Sequence, residues 1–224
     1  MTEKSLKPRI VILGGGFGGI YTFRKLRKLI GASKADITIV GQNNYFLFTP
    51  LLHEVATGSL SHHQVVESIR SIIYKRGATL HVAEIQKIDT AKRIVQTSVA
   101  TIPYDFLVIA TGPKLAFDEV PGLGPDGGFT QSVCHIDHAM KSHDAWENFT
   151  KNPGPIVVGA VQGASCFGPA YEYAFILDTD LRRRKIRDKV PMTFVTSEPY
   201  IGHLGLGGVG DSKGILESAM RDRG

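Results

Sequence analysis

A glycine cluster that follows directly on a short apolar run constrains the fold of this chain more than any other feature. Gly14, Gly16 and Gly19 fit the pattern G-x-G-x-x-G, with Phe17 inside it. The preceding residues 9–13 read Arg-Ile-Val-Ile-Leu, an apolar and β-branched run that predicts a strand. A strand that runs into such a turn is typical of nucleotide-binding domains.

The segments after the glycines complete a βαβ unit. Residues 21–30 alternate apolar and basic side chains at helical spacing, and residues 36–40 predict a second strand. In such a unit the first glycine makes the tight turn, the second lets a pyrophosphate approach the backbone, and the third lets the helix pack on the strand. The helix N-terminus then faces the phosphates, so the sequence predicts a dinucleotide site.

The residue after the second strand departs from this pattern. An acidic side chain usually binds the ribose hydroxyls there, but the chain carries Gln42. Its amide can replace one hydrogen bond of the carboxylate, more weakly because no charge assists it. A plain loop role for Gln42 is an equal alternative.

A region rich in glycine and proline, residues 112–128, predicts a domain boundary. We therefore expect a first domain at residues 1–113 and a second at residues 114–224. The other predicted elements of the first domain are a helix at 65–74 and strands at 79–82, 93–99 and 106–110, the last a continuous apolar run typical of a central parallel strand. Those of the second domain are helices at 138–149, 170–184 and 212–221 and strands at 155–161 and 190–196.

The second domain repeats the strand, turn, helix and strand order of the first. The predicted fold class is therefore α/β, with two Rossmann-like domains on parallel central sheets, and we expect both domains to be incomplete in this chain. The glycine turn of the second domain carries Val161 where a pyrophosphate needs a glycine. We expect the topology without a working NADH site; a tolerant variant that still binds NADH is the alternative.

Composition excludes several function classes. The net charge is +5, but the basic residues are scattered apart from the run at 182–185, and no aromatic residues interleave with that run, which argues against nucleic acid. Two cysteines are too few for a disulfide-built scaffold. No apolar stretch reaches about 18 residues, and residues 1–8 lack the apolar core of a secretory signal, so neither a transmembrane helix nor a signal peptide is expected. No metal site is predicted.

Several segments resemble known flavoproteins. The strand ending in Ala110-Thr111-Gly112 resembles the second fingerprint of flavoproteins with two dinucleotide-binding domains. Residues 132–139, 163–172 and 199–208 resemble the sulfide:quinone oxidoreductases, and residues 43–52 are similar to both that family and the type II NADH dehydrogenases. The resemblance implies FAD as the cofactor at the first glycine turn, with Ala110, Thr111 and Gly112 near the flavin.

The resemblance also implies roles for the two cysteines. The family has three functional cysteines, two of which match Cys134 and Cys166, while the third is not in this chain. Cys166 and that third cysteine are implied to bridge polysulfur and to deliver electrons at the flavin, and Cys134 to assist transfer or release. Judged without the resemblance, each is most simply a buried thiol.

Three further residues match family positions. His138 and His203 correspond to histidines around the sulfide and quinone route, and Glu172 corresponds to an acidic residue linked to proton transfer. An ordinary hydrogen-bonded role is an open alternative for each of the three.

The function implied is FAD-dependent oxidation of sulfide to polysulfur with a quinone as acceptor. Sulfide and quinone would be the small-molecule partners, and a membrane surface would be met peripherally through sequence outside this chain; the resemblance also allows a homo-oligomer. The alternatives are a type II NADH:quinone oxidoreductase and a non-catalytic fragment of such a flavoprotein, because we expect the FAD domain to be completed by sequence after residue 224.

Overall fold

A computed structural model describes residues 7–74 and 76–224 of the chain, which form two compact units. The first unit holds the described residues up to Phe48 together with Val66–Ala116, and the second holds Thr49–Val65 and Phe117–Gly224. The predicted boundary between residues 113 and 114 stays a prediction. The prediction that no secretory signal begins the chain falls largely on residues 1–6, outside the described ranges.

The elements alternate along the chain in the manner of an α/β protein. The strands are β1 (Arg9–Leu13), β2 (Asp36–Gly41), β3 (Tyr45–Leu47), β4 (Val66–Ser68), β5 (Ala78–Val82), β6 (Ile85–Asp89), β7 (Ile94–Thr97), β8 (Thr101–Pro103), β9 (Phe106–Ile109), β10 (Ile156–Ala160) and β11 (Met192–Thr196). The helices are α1 (Phe17–Ile30), α2 (Leu52–Ala56), α3 (Ile69–Ile73), α4 (Ile136–Phe149), α5 (Gly168–Arg183) and α6 (Ser212–Arg223).

The first unit is built on a parallel sheet in the order β5-β2-β1-β9. Side chains of β1 alternate between its two faces. Ile10 and Ile12 share a buried cluster with Phe23 of α1, whereas Val11 and Leu13 share another with Val95 of the antiparallel sheet β6-β7-β8. Both faces are therefore covered, as a parallel sheet requires. The predicted α/β class with a parallel central sheet is confirmed.

Strand β9 is parallel to β1, with Phe106 opposite Ile10, but it is not central among the described residues. It lies at the edge of the sheet, and Phe106 and Ile109 are 61% and 63% exposed. A continuous apolar run reports only that the side chains on both faces of a strand are apolar. It says nothing about the strand's two hydrogen-bonding edges, which is why the prediction of a central strand was wrong here.

The predicted helix at residues 65–74 is wrong in its first half. Residues 66–68 form β4, which pairs antiparallel with β3, and only Ile69–Ile73 are helical. Short apolar segments fit both periodicities, and the pairing with β3 decides between them.

The second unit is centred on the parallel pair β10 and β11, with Ile156 opposite Met192. Helix α5 connects the two strands, so the predicted second βαβ order is confirmed. Trp146 of α4, Leu177 and Leu181 of α5, and Val190 form its buried cluster. Among the described residues, no helix combines the length and apolar character that crossing a bilayer needs.

A buried carboxylate ties the end of the chain to this unit. Asp178 on α5 accepts hydrogen bonds from Arg182 Nε at 2.9 Å, Arg187 Nε at 2.5 Å and Arg223 Nη1 at 2.7 Å. Burial raises the pKa of Asp178, but the three guanidinium groups outweigh it, so the pKa lies below its ordinary value of 3.8. Asp178 therefore stays ionised and links α5, the turn at Arg187 and α6.

We expect Asp178→Asn to lower the free energy of unfolding by about 3 kcal/mol, because three guanidinium groups lose their buried counter-charge. Chemical denaturation near neutral pH would measure it. Since folding lowers the pKa of Asp178, its contribution is complete above pH 3.8 and is lost as the pH falls through the lowered value. The control is Glu217→Gln, which removes an exposed pair with Arg221 at 3.9 Å and should cost below about 0.5 kcal/mol. Equal losses in the two variants would contradict the prediction.

Candidate active site

The first glycine turn needs glycine at two places for steric reasons. Gly14 has a φ of +113°, and a Cβ there would overlap the carbonyl oxygen of Ala110. A Cβ at Gly19 would overlap the carbonyl oxygen of Gly14. The turn is therefore wedged between the end of β9 and the first turn of α1, as the glycine pattern predicts.

Gly16 differs, because a Cβ at this position would meet no atom within 4 Å. Gly16 is the N-cap of α1 in an extended conformation, no side chain caps the helix, and its first turn holds no acidic residue. No side chain of the described residues therefore caps the N–H groups of that turn, where the helix dipole favours an anion. This cradle fits a pyrophosphate.

The other predicted cofactor residues lie at the same edge of the sheet. Ala110 donates its N–H to the Leu13 carbonyl at 2.8 Å, which holds the start of the Ala-Thr-Gly segment beside the glycine turn. Thr111 and Gly112 follow it and are exposed. Gln42 is exposed directly after β2, whose last residue Gly41 packs beside Gly15.

Phe17 lies within an aromatic cluster rather than in the open cradle. Its ring centroid is 4.9 Å from that of Phe46 and 5.7 Å from that of Phe48. The structure thus brings all the predicted cofactor residues to one edge, with Phe17 packed on Phe46 and Phe48.

The second glycine turn is built differently. Residues 14–16 separate β1 from α1, whereas residues 161–167 separate β10 from α5. Val161 is 41% exposed and stands at the position of Gly16. Helix α5 also carries Pro169 in its first turn, which has no N–H to offer a phosphate. These features favour the predicted loss of a dinucleotide site.

Both cysteines are free and exposed. Cys166 lies two residues before α5, which begins at Gly168, close to the predicted start at residue 170. Cys134 precedes α4, and its N–H donates to Ser132 Oγ at 3.2 Å. Exposure makes both thiols reachable and contradicts the simple reading of each as a buried hydrophobe.

The two predicted histidines share one property, a buried Nδ1 without a hydrogen-bond partner among the described residues. His138 places Nε2 at 3.4 Å from Asp126, which also pairs with Lys141. The ring of His203 packs edge-on against Tyr200, with centroids 5.2 Å apart. Each imidazole thus has one buried nitrogen whose hydrogen-bonding capacity is unused among the described residues.

Glu172 has a partner that the sequence did not suggest. Its Oε2 lies 3.1 Å from Nε2 of His53 on α2, a histidine that is buried while Glu172 is exposed. The two residues are far apart in the sequence, and no motif links them. His53 comes directly after the segment at residues 43–52, which is the only sequence signal near it.

Two other residues were missed by sequence reasoning. Tyr171 on α5 donates its hydroxyl to Glu198 at 2.6 Å and connects α5 to the loop that carries His203. Phe167, next to Cys166, packs on Gly205 of that loop, where a Cβ would lie 3.3 Å from Phe167 Cδ2. The structure therefore brings the Cys166 segment and the His203 loop together.

Several known proteins are similar to this chain in sequence and in fold. The chain is 41% identical over 215 residues to the sulfide-quinone reductase of Aquifex aeolicus, covering 96% of this chain and 49% of that protein. The X-ray structure of the sulfide:quinone oxidoreductase from the same species superposes with a TM-score of 0.89 at 40% identity, again over 96% of this chain and 49% of that one. The external alternative NADH-ubiquinone oxidoreductase of Yarrowia lipolytica is 30% identical over 220 residues, which is 87% of this chain and 37% of that protein.

The chain thus spans about half the length of the Aquifex relative and less of the Yarrowia one. The family profile described as pyridine nucleotide-disulphide oxidoreductase matches residues 8–167. This match runs from β1 through the first glycine turn to the cysteine segment before α5. The chain belongs to the pyridine nucleotide-disulphide oxidoreductase family.

Proposed function

We propose that the protein containing this chain oxidises sulfide to polysulfur with FAD and passes the electrons to a quinone. The observation that carries the proposal is the placement of Cys166, an exposed thiol directly after a glycine turn that Val161 and Pro169 make unsuitable for a dinucleotide. The 41% identity to a sulfide-quinone reductase supports it.

FAD is the cofactor of this family, and it supplies two-electron transfer when bound. In this chain the backbone at Gly14, Gly16 and Gly19 would hold the pyrophosphate at the N-terminus of α1. Gln42 would hydrogen-bond the ribose, and Ala110, Thr111 and Gly112 would line the flavin side of the site. The amide of Gln42 offers a weaker contact than a carboxylate would.

Cys166 would act as the redox-active thiol of the sulfide reaction. The thiolate is the reactive form of a cysteine, and exposure lets a hydrosulfide reach it. A hydrosulfide would attack a sulfur atom that bridges Cys166 and a second cysteine; a new S–S bond would form while the S–S bond to Cys166 breaks, and Cys166 would leave as the thiolate that carries the electron pair. FAD, when bound, would supply the two-electron acceptor for that pair, and the quinone would be the final acceptor. Cys134 would assist transfer or release of the sulfur chain.

Protons would be handled by the three remaining residues. His138 and His203 would relay protons, since an imidazole can both accept and donate one; the Nδ1 atom of each has no hydrogen-bond partner among the described residues. Glu172 would carry protons at the surface, backed by its contact with His53.

Because a quinone resides in the lipid phase, we propose that the protein meets the membrane peripherally. The non-catalytic alternative differs at this point, because a fragment would bind neither quinone nor sulfide.

In the protein that contains this chain, we expect sulfide to bleach the flavin under anaerobic conditions. NADH at equal concentration should act at least about 100-fold more slowly, which corresponds to about 2.7 kcal/mol of lost transition-state binding. The reason is that Val161 and Pro169 remove phosphate contacts from the second turn. Stopped-flow absorbance of the flavin would measure both rates.

Dithionite serves as a positive control, because it reduces any accessible flavin. Fast bleaching by NADH and none by sulfide would instead identify a type II NADH:quinone oxidoreductase. A protein whose flavin responds to dithionite alone would support the non-catalytic alternative.

A further inference from the structure

Glu198 occupies the place of a ribose-binding carboxylate. It follows β11, the second strand of the parallel pair in the second unit, by two residues. In a dinucleotide-binding βαβ unit, an acidic residue at the end of the second strand accepts hydrogen bonds from ribose hydroxyls. The second unit thus retains the acidic residue that the first unit replaces with Gln42.

Donor groups of the protein itself already hydrogen-bond both oxygens of the Glu198 carboxylate. Its Oε2 accepts hydrogen bonds from the Tyr171 hydroxyl at 2.6 Å and from Thr196 Oγ1 at 2.8 Å. Its Oε1 accepts the N–H of Leu204. A charge-assisted set of this kind is stronger than neutral hydrogen bonds and costs more to break. The carboxylate therefore binds its own loop in place of a ribose.

Tyr171 completes the link from the other side. Its side chain is almost fully buried, at 3% exposed, and its oxygen accepts the N–H of Gly202 at 3.0 Å. Burial and the hydrogen bond to Glu198 raise the pKa of Tyr171 to about 12, so the phenol remains a donor at any working pH. One hydroxyl thereby serves both Glu198 and the loop backbone.

The loop at residues 198–208 needs such support, because its backbone is unusual. Gly202 and Leu204 have φ values of +85° and +57°, and left-handed backbone is strained for a leucine. Gly205, Gly207 and Gly208 also have positive φ. The contacts to Glu198 and Tyr171 act together with hydrogen bonds from Ser212 Oγ to the Gly202 carbonyl and from the Tyr200 hydroxyl to the Gly207 carbonyl, and they select this conformation over the many open to a glycine-rich chain.

The supported loop lies against the cysteine segment. Phe167 packs on Gly205. We call the hydrogen-bonded pair of Tyr171 and Glu198 the clasp. His203 stands between Gly202 and Leu204, whose N–H groups donate to Tyr171 and Glu198. We propose that Tyr171 and Glu198 are positioning residues that hold the loop and His203 against the Cys166 segment, at the place where a dinucleotide unit would bind a ribose. The proposal rests on the proposed function only for its catalytic consequence.

Tyr171→Phe tests it in the flavin-loaded protein. Loss of the hydroxyl leaves Gly202 without an acceptor and Glu198 without one donor, so the amides of residues 198–208 should exchange hydrogen at least about tenfold faster. Flavin reduction by sulfide, per bound flavin, should slow about tenfold because His203 is displaced. Reoxidation of the reduced flavin by quinone should not change. A purely structural role would lower the yield of folded protein without altering the rate per bound flavin.

Tyr173→Phe is the matched control, since this neighbouring tyrosine packs on the Trp146 and Leu177 cluster rather than on the loop. It should leave exchange in the loop and both half-reactions unchanged. Glu198→Gln is the second variant, because the NH₂ group of the glutamine would face one of the donors that now bond the carboxylate. It should reproduce the effects of Tyr171→Phe, and it provides the test if Tyr171→Phe fails to fold.

An unchanged rate of amide hydrogen exchange at residues 198–208 in either variant would show that the clasp does not hold the loop. Faster exchange with an unchanged rate of sulfide-dependent reduction would overturn the positioning role. If sulfide fails to reduce even the unmodified protein, the proposed function is wrong, and the exchange measurement still decides whether the clasp exists.

Discussion

We expect Gly16→Val, introduced into the protein that contains this chain, to yield a colourless product whose content of bound FAD is at least about tenfold lower. A Cβ at Gly16 meets no protein atom within 4 Å, so the valine fits the polypeptide itself. Its side chain enters the space at the N-terminus of α1 where the pyrophosphate would bind. The ratio of flavin to protein absorbance in the purified protein measures the loss.

The matched control is Gly154→Val. Gly154 also has no atom within 4 Å of an added Cβ, but it lies before β10, away from the first glycine turn. It should therefore keep its flavin, and circular dichroism should show that both variants are folded. Full flavin content in Gly16→Val would refute the assignment of the cofactor to this turn.

Cys166→Ser is expected to lower sulfide-dependent flavin reduction by at least about 10³-fold while FAD content stays normal. Serine keeps the volume of the side chain but can neither hold the bridging sulfur nor leave as the soft thiolate that carries the electron pair. Because Cys166 is exposed and belongs to the second unit, the substitution should not disturb the first glycine turn, where we propose that FAD binds. Anaerobic stopped-flow mixing with sulfide gives the rate.

Cys134→Ser provides the comparison, and we expect a smaller effect because the role we propose for Cys134 is assistance in transfer or release. Near-normal sulfide:quinone activity in Cys166→Ser would eliminate the covalent mechanism. In that case Cys166 would be an exposed residue without a part in the chemistry.

The sequence determined the features that depend on local pattern. Three glycines at fixed spacing after an apolar strand are typical of a dinucleotide-binding turn. The structure shows the steric reasons for glycine at Gly14 and Gly19. Alternation and helical spacing predicted the strands and helices of both βαβ units to within a few residues. The exchange of glycine for Val161 and the segment around Cys166 were likewise visible in the sequence alone. Each of these signals lies within a few neighbouring residues.

Tertiary structure decided what depends on partners distant in sequence. The pairing of β4 with β3 overrode a helical pattern, and the edge place of β9 could not be read from its apolar run. The contact of His53 with Glu172 and the clasp of Tyr171 with Glu198 join residues that share no motif. Periodicity reports which face of an element is apolar, but only the folded chain selects which hydrogen-bonding groups meet, because that choice is made by packing across the whole unit.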